Sequence, residues 1–187
     1  MILDGTTIFS DASEEFTDFI KAAYKSQRSS YPKFFKMDAL SKLAFVASDV
    51  LLNAIPSEEK EENTAIILSN RASSLDTDRK HQKSIENKEN YYPSPAVFVY
   101  TLPNICIGEI SIKHKLFSEN SFFIFENFNA VHLHDYASSL LNSGKAKKVL
   151  CGWVDFDTNK YDAFLYLVSP KGKINHSKEE INRLYRL

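Results

Sequence analysis

The chain has 187 residues, 43% hydrophobic and 25% charged, which suffices for one ordinary globular core and excludes disorder throughout. Its 23 Lys plus Arg against 24 Asp plus Glu create no global field that recommends nucleic acid or an anionic membrane as partner. No run of about 18 uncharged apolar residues exists, so no membrane-spanning helix is expected, and the N-terminus lacks the basic start and apolar run of a signal peptide.

In chain order, "MILDGTTIF" predicts a short edge strand with a turn at Asp4-Gly5. "SEEFTDFIKAAYKS" places Phe16, Phe19, Ile20 and Ala23 at helical spacing behind Ser13 as the capping residue. After Pro32, the run "KFFKMDALSKLAFVASDVLLNAIP" carries Leu40, Leu43, Ala44, Ala47, Val50 and Leu51 as one helical stripe. Pro56 follows its end, and the acidic "SEEKEEN" is expected to return the chain to solvent.

"TAIILSN", Thr64 to Asn70, has the length and unbroken apolar character of a strand covered on both faces. Arg71 to Asn90 is polar and predicts a partly helical surface excursion or a loop. Pro103 marks a helix start or kink, with Asn104 to His114 as a buried helix. Phe122 to Phe125 predicts a strand, and a helix follows from about Phe128 to Ser143. Its core side is Ala130, Leu133, Ala137, Leu140 and Leu141, and Gly144 stops it. "KKVLCGWVDF" and "YDAFLYLVS" read as a hairpin around Asp157-Thr158-Asn159-Lys160. Ser177 with Glu180 predicts a capping box for a last short helix. The expected architecture is one layered α/β domain over residues 1–187, its sheet mostly parallel with an antiparallel terminal strand.

Residues able to carry chemistry do not converge in this pattern. His132 and His134 are two apart, whereas zinc-binding helices space their ligands by three or four, so no metal is expected. Glu126 and Asp135 lie nine residues apart with no third group nearby. Cys106 and Cys151 lack a closely spaced partner motif and read as reduced, buried thiols of a cytosolic protein. Cys151 lies inside an apolar strand, where nothing lowers its pKa. Gly108-Glu109 and Gly172 build no phosphate-cradling loop, and no cofactor is expected.

Three stretches nevertheless resemble the N-terminal half of β-ketoacyl synthases, which have the thiolase-like fold. They are "KMDALSKLAFVASDVLL", "SPAVFVYTLPNICIGEISIKHKL" and "AVHLHDYASSLLNSGKAKKVLCGWVD", and they span most of Met37 to Asp155. The family's paired glycines at the end of the last stretch here read Cys151-Gly152. By the spacing to Gly144 that the resemblance implies, the family's nucleophilic Cys falls at Asn127, with Glu126 and Phe128 the neighbouring choices, and none of the three is a nucleophile. The family's catalytic histidines come from a C-terminal half outside this sequence. The resemblance thus implies half of a thiolase-like fold in a non-catalytic form, similar to the short ketosynthase-like proteins of aryl polyene and flexirubin pathways.

It further implies a role like that of a chain-length factor, supporting an active ketosynthase in fatty acid or polyketide biosynthesis in the cytoplasm. The pairing would be a heterodimer with that ketosynthase, or a homodimer, with Phe122, Phe123, Ile124 and Phe125 at the interface and an acyl carrier protein as a further contact. Two rivals stay open: an acyl-thioester enzyme of another class using Glu126, His132 or His134, and a self-associating scaffold.

Overall fold

Thr64–Asn70 forms a strand buried at all seven positions in the computed structural model, which describes residues 1–13, 15–27, 29–56, 61–89 and 91–187. Residues 57–60, within the acidic stretch expected to meet solvent, lie outside the described residues. In chain order the strands are β1 (Ile2–Leu3), β2 (Thr6–Thr7), β3 (Thr64–Asn70), β4 (Asn120–Ile124), β5 (Lys148–Asp157) and β6 (Lys160–Val168). The helices are α1 (Phe16–Ser26), α2 (Ala39–Asn53), α3 (Leu75–Ile85), α4 (Pro95–Val99), α5 (Ile105–His114), α6 (Ala130–Asn142) and α7 (Lys178–Tyr185).

β1 and β2 pair only with each other, through Asp4 and Gly5 at φ 47° and 77°. The main sheet runs β4-β3-β5-β6, with β3 parallel to both its neighbours and β6 antiparallel to β5. Thr158 and Asn159 take φ 49° and 69°, the left-handed pair that a two-residue hairpin needs to match strand twist. The layered, mostly parallel sheet with an antiparallel terminal strand is therefore present as expected from the pattern.

Alternation along β3 and β5 divides the core in two. Ile66, Leu68, Leu150, Val154 and Phe156 face the layer built by α1, α2 and α5. Ala65, Ile67, Val149 and Cys151 face α6 through Leu133, Ala137 and Leu140. Gly152 lies where β5 and β6 approach most closely: a Cβ there would sit 2.5 Å from the Phe164 carbonyl oxygen and 2.8 Å from Leu165 Cγ. The glycine is thus a packing requirement of the hairpin.

Several local expectations change. Ser13 does not cap α1; it turns to Asp11, and the helix starts behind Glu15 with no side-chain cap. The orphan Phe16 N–H instead donates to Asn159 Oδ1 at 3.0 Å, from the distant β5–β6 turn. Asp38 caps α2, accepting from Ser41 N at 2.9 Å, while its other oxygen takes the Thr77 hydroxyl at 2.8 Å and ties α3 to this end. Ser177 accepts from Glu180 N at 3.2 Å, but the Glu180 carboxylate pairs with Arg183, so only half of the capping box forms. The polar 71–90 segment contains α3, and Gly144 at φ 72° ends α6.

The strand expected at Phe122 to Phe125 runs Asn120–Ile124, at the sheet's margin, and its residues are half-buried or exposed. Its apolar composition alone did not distinguish a central strand from an edge.

Candidate functional site

β4 crosses to α6 through Phe125, Glu126, Asn127, Phe128 and Asn129, a sheet-to-helix junction. Phe125 leaves the strand, although its N–H still donates to the Asn70 carbonyl at 2.9 Å. Asn129 closes the junction: its side-chain oxygen accepts from His132 N at 2.9 Å and so satisfies one orphan donor of the first helical turn.

Of the three residues implied as the vacated nucleophile position, Glu126 and Asn127 are exposed and Phe128 is half-buried. Phe128 anchors the loop, its ring 4.1 Å from Tyr185, 5.7 Å from Phe164 and 6.3 Å from Trp153 between centroids. Neither cysteine of the chain lies at this junction. Cys151 projects from β5 into the core under α6, where burial pushes its thiol up to about 12. Cys106 is buried in the other core, and burial likewise drives its thiol upward. In both places burial disfavours the thiolate that attack requires.

The two histidines separate as their spacing predicts. The His132 ring meets Phe123 at 4.3 Å and Phe125 at 5.0 Å, both edge-on, and stacks near Tyr136 at 5.9 Å. His134 is half-buried: Nδ1 lies 2.8 Å from Asp135, and its ring 4.6 Å from that of His176. Asp135 also takes Lys178, and the hydrogen bonds from His134 and Lys178 hold its carboxyl below the usual range. Asp135 is therefore committed elsewhere and does not form an acid/base pair with Glu126. Among the described residues, no group of three His, Cys, Asp or Glu is placed to hold a metal ion.

What the junction offers is an aromatic edge. Phe123, Phe125, His132 and Tyr136 pack on one another, and Ser121 Oγ lies 3.3 Å from Tyr136 OH. Phe122 faces the opposite way and packs against the larger core, while Ile124 is 55% exposed. The ladder to β3 engages Phe125 N–H and the Glu119 carbonyl. By the alternation of a parallel ladder, the backbone groups of Asn120, Phe122 and Ile124 then face outward, and among the described residues no strand meets them. Sequence reasoning missed His132 and Tyr136 as part of this edge. The signal was available: Phe123 and Phe125 share a strand face, and His132 and Tyr136 share a helix face.

No family model and no curated protein matches the sequence. Solved structures do match. The ishigamide ketosynthase/chain length factor superposes with a TM-score of 0.59 at 25% identity, over 66% of this chain and 36% of that one. A chain of the ketosynthase in complex with its chain length factor from Xenorhabdus doucetiae superposes at 0.61 and 13% identity, over 84% and 74%. The third is a chain from a type II polyketide synthase acyl-carrier protein in complex with its ketosynthase bound to the hexaketide. It gives 0.57 at 15% identity, over 77% and 47%.

The fold is that of ketosynthases and chain length factors. The ketosynthase-like chain spans about a third of the first of these proteins and under half of the third. Its match to the Xenorhabdus chain covers similar shares of both, so that chain is close to it in length.

Proposed function

We propose that this ketosynthase-like chain is a non-catalytic subunit of the chain-length-factor kind, acting in the cytoplasm in fatty acid or polyketide biosynthesis, with aryl polyene assembly the specific pathway. It pairs with a Cys-bearing ketosynthase and supports that enzyme's acyl pocket. The observation that carries this reading is the coincidence of two features at one place: a crossover without Ser or Cys at Glu126, Asn127 and Phe128, and immediately before it a strand edge that no other strand meets among the described residues.

Physical chemistry makes the pairing favourable. Outward N–H and C=O groups on β4 template a strand from another chain, and Phe123, Ile124 and Phe125 supply apolar area to exclude water around it. A partner's active-site elbow would then lie near this chain's own emptied one. Contact with an acyl carrier protein would be electrostatic, basic side chains here meeting the carrier's acidic surface.

Co-expression with a Cys-bearing ketosynthase, followed by size-exclusion chromatography with mass determination, tests the reading. The expected result is a stable heterodimer that Ile124→Asp dissociates. A chain that remains a monomer or homodimer beside every ketosynthase offered would overturn it. So would turnover of acyl thioesters by the purified chain that falls when Glu126, His132 or His134 becomes Ala.

A further inference from the structure

The helical stripe on α2 is only partly used by the fold. Leu40, Leu43 and Ala44 are buried, yet Ala47, Val50 and Leu51 on the same stripe remain half-buried. They open onto a cleft of about 320 Å³ between α1, α2 and β6, roofed at one side by the β1–β2 hairpin. The buried Ile20, Leu43 and Val46 and the half-buried Leu165 line it. Among the described residues the lining includes no Lys, Arg or His. Its single acid, Asp162, has its carboxylate engaged by the Tyr185 hydroxyl at 2.7 Å, and Tyr185 belongs with Phe128 and Phe164 on the α6 side of the sheet.

We propose that this cleft binds the tail of a linear aliphatic chain and leaves the chain's head group in solvent. Its volume falls within the range of small-molecule sites, which are concave and mostly apolar. The one cation of its lining, the Met1 α-ammonium, is held by the Phe9 carbonyl, and no basic side chain lines it, so it reads methylenes and not a carboxylate, phosphate or hydroxyl. Size also selects the occupant. Fourteen residues line the cleft, against about 20–30 on each side of a stable protein interface. The cleft lies on the opposite face and the opposite edge of the sheet from the β4–α6 junction, so it stands independently of the proposed ketosynthase pairing.

The test is displacement of a fluorescent apolar dye from the full-length chain by octanoic acid, decanoic acid and decanol. Saturable binding is expected, with affinity falling by up to about fourfold for each methylene removed, the equivalent of one methylene's transfer free energy. Decanol and decanoic acid should bind alike, because the head group stays outside. Ala47→Trp fills the cleft and should weaken decanoic acid by about tenfold or more with an unchanged circular dichroism spectrum; Val50→Phe replaces it if that variant does not fold. Ile124→Asp, on the far edge, should leave binding intact even where it abolishes ketosynthase pairing. The proposal is overturned by absence of saturable binding, by affinity that follows the head group, by native-like Ala47→Trp binding as well as wild type, or by self-association that covers the cleft and that Ala47→Trp abolishes.

Discussion

Among the described residues, the core between the sheet and α1, α2 and α5 gathers 21 buried apolar residues, and the core between the sheet and α6 nine. The first core is rich in rings, with Tyr24 stacked on Phe34 at 4.0 Å and Tyr31 on Phe45 at 5.0 Å. It also seals polar groups deliberately: Glu109 is buried and takes Lys33 at 2.6 Å and the Tyr31 hydroxyl at 2.9 Å. The second core is thin, built largely from Ala, Val and Leu, and its margin is the half-exposed aromatic edge of β4 and α6. The difference separates what holds the fold from what it leaves uncovered. A thick face holds the chain folded, while the thin face keeps at its margin the apolar area that the proposed ketosynthase pairing would use.

The strongest way to break the comparison is on the thick face. Phe34→Ala should cost about 3–5 kcal/mol in urea denaturation, by loss of burial plus the cavity left behind. Leu133→Ala, at the centre of the thin face, should lie near the lower end of about 2–5 kcal/mol, because an exposed margin lets the site relax. Equal losses at the two positions would remove the asymmetry.

A pH titration sharpens it. Asp49 on α2 is buried and His114 on α5 half-buried, with Nε2 3.1 Å from Oδ1. Burial pushes the Asp49 carboxyl up, but the His114 and Ser29 side chains beside it, together with the charge of Lys113, pull it below its ordinary value. Its contribution to stability is therefore complete above the unfolded-state value of about 3.9 and is lost as pH falls through the lower folded one. Asp49→Asn should flatten the acid limb of the stability curve measured by chemical denaturation. An acid limb unchanged in this variant would assign acid unfolding to other carboxylates.

The smallest effect on folding belongs to the edge. Ile124→Asp should change stability by no more than about 0.5–1 kcal/mol, as for an exposed position, while abolishing the proposed heterodimer. A large loss of stability would instead mean that the edge serves the fold itself.

Much of the framework was legible because its signals are local. Thr64 to Asn70 needs only an unbroken apolar run; α2 and α6 need only helical spacing; the β5–β6 turn needs two residues that tolerate positive φ. The crossover between β4 and α6 was legible for the same reason. The edge position of β4 was not, because Phe-Phe-Ile reads alike in the middle and at the margin of a sheet. Nor was the Asn159 cap of α1, which joins residues 143 positions apart.

The sequence by itself determined the alternation of strands and helices, the hairpin, and the lack of Ser or Cys among Glu126, Asn127 and Phe128. Only the tertiary structure decided that β4 lies at the sheet's margin, that His132 and Tyr136 join its phenylalanines, and that half of α2's apolar stripe faces a cleft. The reason is that periodicity reports which face of an element avoids water, whereas the identity of what covers that face depends on chain segments far away.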